Sequence, residues 1–132
     1  MVRTTIATLG LMALTGFGAN AQSGNCANAA DQATLNLCAN QELKTADARL
    51  NKTYRALTRK LGPDSLNRLK KGQRAWIAYR DAICAFEAAP SQDGSIYPMV
   101  MADCLAAVTA SQTALLEDQL NCEEGDMSCV SY

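Results

Sequence analysis

Leu43, Ala46, Leu50, Tyr54, Leu57 and Leu61 recur at three- and four-residue steps and stop at Gly62-Pro63. That spacing puts all six on one face of a helix. A Gly-Pro pair ends the helix, because proline has no backbone donor to continue it. A second set follows at once: Leu66, Leu69, Gln73, Trp76, Ile83 and Phe86, with Ala75 and Tyr79 beside them, as far as Ala88 or Ala89 before Pro90. Two amphipathic helices joined by so short a turn lie antiparallel. Asp64 or Ser65 is the expected cap of the second.

The stretch PSQDGSIY, residues 90 to 97, has the composition of a loop, and Ser95 with Pro98 marks the first turn of a third helix. Cys104, Leu105, Val108, Leu115, Leu116 and Leu120 carry that helix to about Leu120. A short helical turn between Asp31 and Cys38 is expected before all of these, and no segment alternates as a strand. The predicted fold class is therefore all-α: a small antiparallel bundle of three long helices plus a short N-terminal helical turn, stapled by disulfides.

Residues 1–21 stand apart. Arg3 precedes an apolar run from Ile6 to Phe17 that closes on Ala19-Asn20-Ala21, the pattern of a secretory signal with an A-x-A cleavage site. The run is shorter than the roughly 20 residues a bilayer span requires. No later segment is expected to reach that length, so no stable membrane span is predicted. The expected domains are a signal peptide at 1–21, a helical domain at 22–120, and an acidic Cys-containing tail at 121–132. The predicted location is periplasmic or secreted.

All six cysteines (Cys26, Cys38, Cys84, Cys104, Cys122 and Cys129) lie beyond the signal, and an even count in a small exported chain reads as a disulfide framework. Sequence neighbours suggest Cys26 with Cys38, Cys84 with Cys104, and Cys122 with Cys129. Pairing of Cys38 with Cys84 stays open, because an antiparallel register about the turn brings both to one end.

Histidine is absent. That removes the commonest general base, the commonest zinc ligand and any Ser-His or Cys-His pair. No spacing singles out a carboxylate pair, and the cysteines lack the C-x-x-C spacing of redox catalysis. The sequence therefore points to no catalytic residue, no cofactor and no metal.

Charge is strongly segregated. Residues 44–80 carry a net +9, residues 81–132 hold nine acids and no base, and residues 22–43 add −2. Packed neighbouring helices usually bring opposite charges together, so mutual neutralisation is the expected outcome, with two oppositely charged surfaces as the alternative. In the antiparallel register, residue i lies near the level of residue 125 − i. Asp47 then falls near Arg80, Asn51 near Arg74, and Lys44 near Asp81. Asp47, Asn51 and Tyr54 form a polar stripe at the edge of the leucine face, and with Arg74, Arg80 and Asp81 they are predicted to form a structural network fixing helix register. Trp76 is read as a packing residue.

Three stretches, NLCANQELKTADARLNKTY, LKKGQRAWIAYRDAICAFEA and GSIYPMVMADCLAAVTASQTALLE, together resemble the N-terminal domain of the LprI-type lysozyme inhibitors. The resemblance rests on Cys38, Ala39, Asp47, Leu50, Asn51, Tyr54, Gln73, Arg74, Trp76, Tyr79, Arg80, Asp81, Cys84, Gly94, Ser95 and Cys104, and spans roughly residues 26 to 120. Gly72 stands where the family pattern has Ala. Residues 108–112 lack an Arg expected in the final helix, and the tail lies outside the pattern.

The resemblance implies an exported binding protein that inhibits lysozyme by occluding its cleft, with no catalysis of its own. Its expected partner is a protein, lysozyme first, and not nucleic acid. The competing expectation is a periplasmic interaction or scaffold module for another envelope protein. Asp93, Gly94, Ser95 and Tyr97 are the candidate partner-binding residues, on a short loop that a Cys84–Cys104 bridge would tether and pre-organise. The −9 half of the chain suits a basic partner such as the common animal lysozymes.

Overall fold

The computed structural model describes residues 26–123 and 125–130. The expected signal peptide at 1–21 lies outside the described residues. A 3-10 turn at Cys26–Asn28 precedes three helices: α1, Gln32–Thr58; α2, Pro63–Ala88; and α3, Tyr97–Leu120. A second 3-10 turn, Ala89–Ser91, begins the loop before α3. The architecture is all-α, with no strand among the described residues.

Two boundaries differ from expectation for local reasons. The turn expected between Asp31 and Cys38 is the first part of α1 itself, continuous over 27 residues. Asp31 caps that helix, accepting from the Thr34 N–H at 2.9 Å and the Thr34 hydroxyl at 2.7 Å. The cap of α2 is Gly62, not Asp64 or Ser65: Gly62 is extended, and Pro63 takes the first helical position, where its missing donor costs nothing. At α3 the cap position is Ile96, without a side-chain cap bond. Ser95 instead offers its carbonyl to Asn36 Nδ2 at 3.0 Å.

The chain runs up, down and up. The α1 and α3 helices are therefore parallel, as shown by contacts from Gln32 to Met99 at one end and from Lys60 to the Leu120 carbonyl at the other. The closest pair of helices is α1 with α3, not the α1–α2 hairpin partners. Small residues explain this. Ala39, Ala102, Thr109 and Thr113 are all buried, and small side chains let two helix axes approach closely.

Leu50, Leu57 and Leu116 form the aliphatic core, with Tyr54, Leu61, Leu69, Trp76 and Leu120 packed against it. Each fully buried Leu contributes roughly 1.5–3 kcal/mol of transfer free energy. This core fills the end of the bundle at the Gly62-Pro63 turn. At the opposite end the buried residues are Cys38, Ala39, Cys84, Ala88, Ala102 and Cys104, so covalent bonds hold what burial of such small side chains cannot. The bridges are Cys26–Cys38, Cys84–Cys104 and Cys122–Cys129, all between sequence neighbours, and Cys38–Cys84 does not form.

The α2 stripe is narrower than its sequence suggests. Trp76 and Ile83 are half-buried, but Phe86 is 77% exposed and Tyr79 61% exposed. The expectation that no later segment reaches the length and apolarity of a membrane span is corrected at α3, which does so over Tyr97–Leu120. That composition belongs to the central helix, which packs against both of the others and is bridged to α2 through Cys104.

Candidate functional site

Arg80 joins the three helices. Its guanidinium donates from Nε to Asp81 Oδ1 at 3.0 Å, and from Nη1 to Asp47 Oδ1 on α1 at 3.4 Å and Thr109 Oγ1 on α3 at 3.3 Å. It also lies 5.1 Å from the centre of the Trp76 ring, within cation–π range. The Arg80 side chain is only 18% exposed, whereas Asp47 and Asp81 keep 44% and 58% of theirs. A planar fork serving three oxygens and one ring face is a role that lysine could not fill. About one turn along α3 from Thr109, Gln112 Nε2 donates to Gln73 Oε1 at 3.2 Å, again between α3 and α2.

Of the six residues expected in this network, Asp47, Arg80 and Asp81 come together. Asn51 and Arg74 are exposed, and among the described residues no hydrogen bond or ion pair joins Asn51 to Arg74 or Lys44 to Asp81. The reason is geometric: α3 lies between the two arms, so only a long side chain at the right level reaches across. Tyr54 is half-buried and packs against the leucine core instead of joining the polar stripe.

The shortest inter-helix ion pair among the described residues is not legible in the sequence. Arg49 grips Glu117 with two bonds, Nε to Oε1 at 3.0 Å and Nη2 to Oε2 at 2.7 Å, and the Thr53 hydroxyl also reaches Oε1 at 3.4 Å. Hydrogen bonding to Arg49 holds the Glu117 carboxyl below its usual range and raises Arg49 in turn. The pair joins parallel helices 68 residues apart, and no spacing rule connects such positions.

The segregated charges are thus only partly neutralised. Arg49 meets Glu117, but Lys70, Lys71 and Arg74 on the first half of α2 are exposed, as are Glu87, Asp93 and Asp103 at the far end.

The far end carries the candidate partner-binding loop, and its shape is set by short bonds. The Ser91 hydroxyl donates to the Ala88 carbonyl at 2.9 Å, the Gly94 N–H to the Ser91 carbonyl at 2.8 Å, and the Tyr97 N–H to the Gly94 carbonyl at 3.1 Å. A Cβ on Gly94 would lie 3.2 Å from the Ser91 oxygen, which is why glycine suits this turn. Asp93, Gly94 and Ser95 are exposed, and Tyr97 is half-buried as it enters α3. Cys84–Cys104 ties the helices flanking the loop, and Asn36 ties Ser95 to α1.

Of the grooves among the described residues, two bear on the helix seams and the tail. One of about 810 Å³ lies between α1 and α3, with Glu42, Arg49 and Asp103 among small residues. The other, about 500 Å³, lies at the turn end among Leu57, Leu61, Leu69, Leu115 and Leu116, with Val130 at its edge. The tail reaches it through Gln119, whose Nε2 donates to the Ser128 carbonyl at 3.2 Å and whose Oε1 accepts from the Val130 N–H at 3.0 Å. Cys122, Asp126 and Cys129 bring three potential donor atoms within 4.8 Å, but both sulfurs are spent in a disulfide and offer no thiolate to a metal. Among the described residues no buried side-chain nitrogen or oxygen lacks a hydrogen-bond partner.

These features define a class: a small disulfide-stapled three-helix domain whose polar residues tie helices to one another and whose end loop is exposed. The chain belongs to the family described as Lysozyme inhibitor LprI, whose sequence profile matches residues 24–116. It is 40% identical over 121 residues to "Uncharacterized protein R02472" of Rhizobium meliloti (strain 1021), covering 80% of this chain and 87% of that one. It is also 37% identical over 71 residues to "Uncharacterized protein YecT" of Escherichia coli (strain K12), covering 43% of this chain and 44% of that one. No solved structure matches. The family is one of inhibitors and not of catalysts, and three disulfides are compatible with an oxidising, extracytoplasmic location.

Proposed function

We propose that this protein acts in the periplasm or outside the cell as a lysozyme inhibitor, entering or covering the lysozyme cleft with the loop at residues 92–97. Family membership over residues 24–116 is the observation that carries this reading. The loop geometry supports it. A turn held by three short hydrogen bonds, one disulfide and the Asn36 clamp loses little conformational entropy on binding.

Charge supports the choice of end. From residue 81 onward there is no Lys or Arg, and Glu87, Asp93 and Asp103 are exposed near the loop. A basic lysozyme would be steered toward this end and repelled by the cationic first half of α2. Steering of this kind weakens with salt, because the screening length shortens to about 8 Å at physiological ionic strength.

The test is a bacterial cell-wall lysis assay with purified mature protein at low and moderate salt. Slowed lysis at modest molar excess, with weaker inhibition as salt rises, is the expected result. Undiminished lysis at large excess in both conditions removes the proposal.

A further inference from the structure

The outer face of α2 carries a second apolar seam that no other described residue covers. Gly72, Ala75, Tyr79, Ala82 and Phe86 on α2, and Ala89 just past its end, succeed one another at steps of 3, 4, 3, 4 and 3, and all six are exposed. A strict alternation of three and four is the period of a coiled-coil seam, distinct from the inward set that includes Leu69, Gln73, Trp76, Arg80 and Cys84. Two of the seam residues are large aromatics, Tyr79 at 61% and Phe86 at 77% exposure. Gly72 has no internal explanation, since a Cβ there would meet nothing within 4 Å.

We propose that two copies of this chain associate antiparallel through this seam, as a two-fold symmetric dimer. The size pattern is self-complementary only in that direction. Pairing residue i with residue 161 − i of the partner copy sets each large residue against a small one: Phe86 on Ala75, Tyr79 on Ala82, and the reciprocal pairs. It closes the ends with Ala89 against Gly72. A parallel pairing would stack Tyr79 on Tyr79 and leave Gly72 facing Gly72, which gives neither knobs nor holes.

Charge selects the same direction. The first half of α2 exposes Arg68, Lys70, Lys71 and Arg74 against one acid, Asp64, whereas its second half and the following loop expose Glu87 and Asp93, with Asp81 already paired to Arg80. Antiparallel pairing faces the basic half of each helix with the acidic half of the other, and parallel pairing faces like with like. The seam from Gly72 to Ala89 is about 26 Å long at 1.5 Å per residue. One helix pair of that length is a small interface, so the dimer is expected to depend on concentration. Such a two-fold contact also leaves the 92–97 loops at opposite ends of the pair.

Sedimentation equilibrium of the purified protein from roughly 1 µM to 1 mM reads this directly. A reversible rise toward twice the monomer mass is expected. Phe86→Glu, and separately Ala75→Glu, should each raise the dimer dissociation constant roughly thirtyfold or more, as loss of a central anchor does. Leu37→Glu, at a residue 55% exposed on α1, should leave it unchanged. Both seam positions are exposed, so circular dichroism of each variant should match that of the parent. A monomer across the whole range, or a dimer abolished by Leu37→Glu and untouched by both seam variants, would overturn the proposal. So would a monomeric protein whose Phe86→Glu variant loses lysozyme inhibition, since the seam would then belong to that partner.

Discussion

Replacing Arg80 should loosen the whole bundle, because it is the one side chain described above that bonds to all three helices. In Arg80→Ala the half-buried stem and its packing on the Trp76 ring are lost, about 1 kcal/mol for the apolar area. The cation–π contact adds roughly 0.5–1 kcal/mol at a site only 18% exposed. The bonds to Asp47 and Thr109 are long, at 3.4 and 3.3 Å, and are worth about 1 kcal/mol together once resolvation of the half-exposed Asp47 is allowed for. The Asp81 bond connects adjacent residues in the same helix, is largely solvated, and is counted as nothing. The sum is a loss of about 2.5–3 kcal/mol, or roughly 10–20 °C in Tm for a domain of this size. Urea unfolding with the disulfides intact measures it. Arg80→Met, which keeps the stem on Trp76, should lose about half as much. A loss under roughly 0.5 kcal/mol for Arg80→Ala would refute the view that this network sets the register.

Four further outcomes follow. Glu117 titrates below its usual range through its bonds from Arg49, Asp31 through those from Thr34, and Asp126 through those from Ser128; carboxyls depressed by folding stabilise the protein above their unfolded range, and that stability is lost as pH falls through the lower folded values. Urea midpoints should therefore be level near neutrality and drop in acid, and Glu117→Gln should flatten part of that drop. Replacing Cys84 and Cys104 together by Ser removes a bridge of sequence separation 20, worth roughly 3 kcal/mol in the loop-entropy model, and should weaken lysozyme inhibition more than stability alone explains. The same change at Cys122 and Cys129 should leave the helical circular dichroism intact, because the described part of the tail meets the helices at the edge of the turn-end groove. Gly72→Ala should raise thermal stability by about 0.5–1 kcal/mol, since an exposed mid-helix glycine gains helix propensity and meets no clash.

Helix content and the Gly62-Pro63 turn were legible because periodicity and a proline stop are local signals. Bridges between neighbouring cysteines were legible for the same reason: short separations in a helical chain leave few other partners within reach. The Asp47–Arg80 contact could be read from the turn, which sets the level of every residue on its two arms. What could not be read was which helices lie closest. That choice rests on Ala39, Ala102, Thr109 and Thr113, whose contribution is their smallness, and smallness leaves almost no mark on a hydropathy pattern. Once α3 moves between the arms, Asn51 and Arg74 lose each other, Arg49 finds Glu117, and the outer rim of α2, with Phe86 and Tyr79, turns to solvent. Asp31 is hard to read as a cap, since the polar residues after it interrupt the apolar stripe, although Thr34 stands three residues on to complete the bond.

Hydrogen exchange on the complex with a basic lysozyme tests the central claim most directly. The account predicts slowed exchange at residues 92–97 and the adjoining first turn of α3, with the Gly62-Pro63 turn unchanged and the protection fading as salt rises. Protection centred on the Gly62-Pro63 turn, or none anywhere at saturating lysozyme, would contradict it.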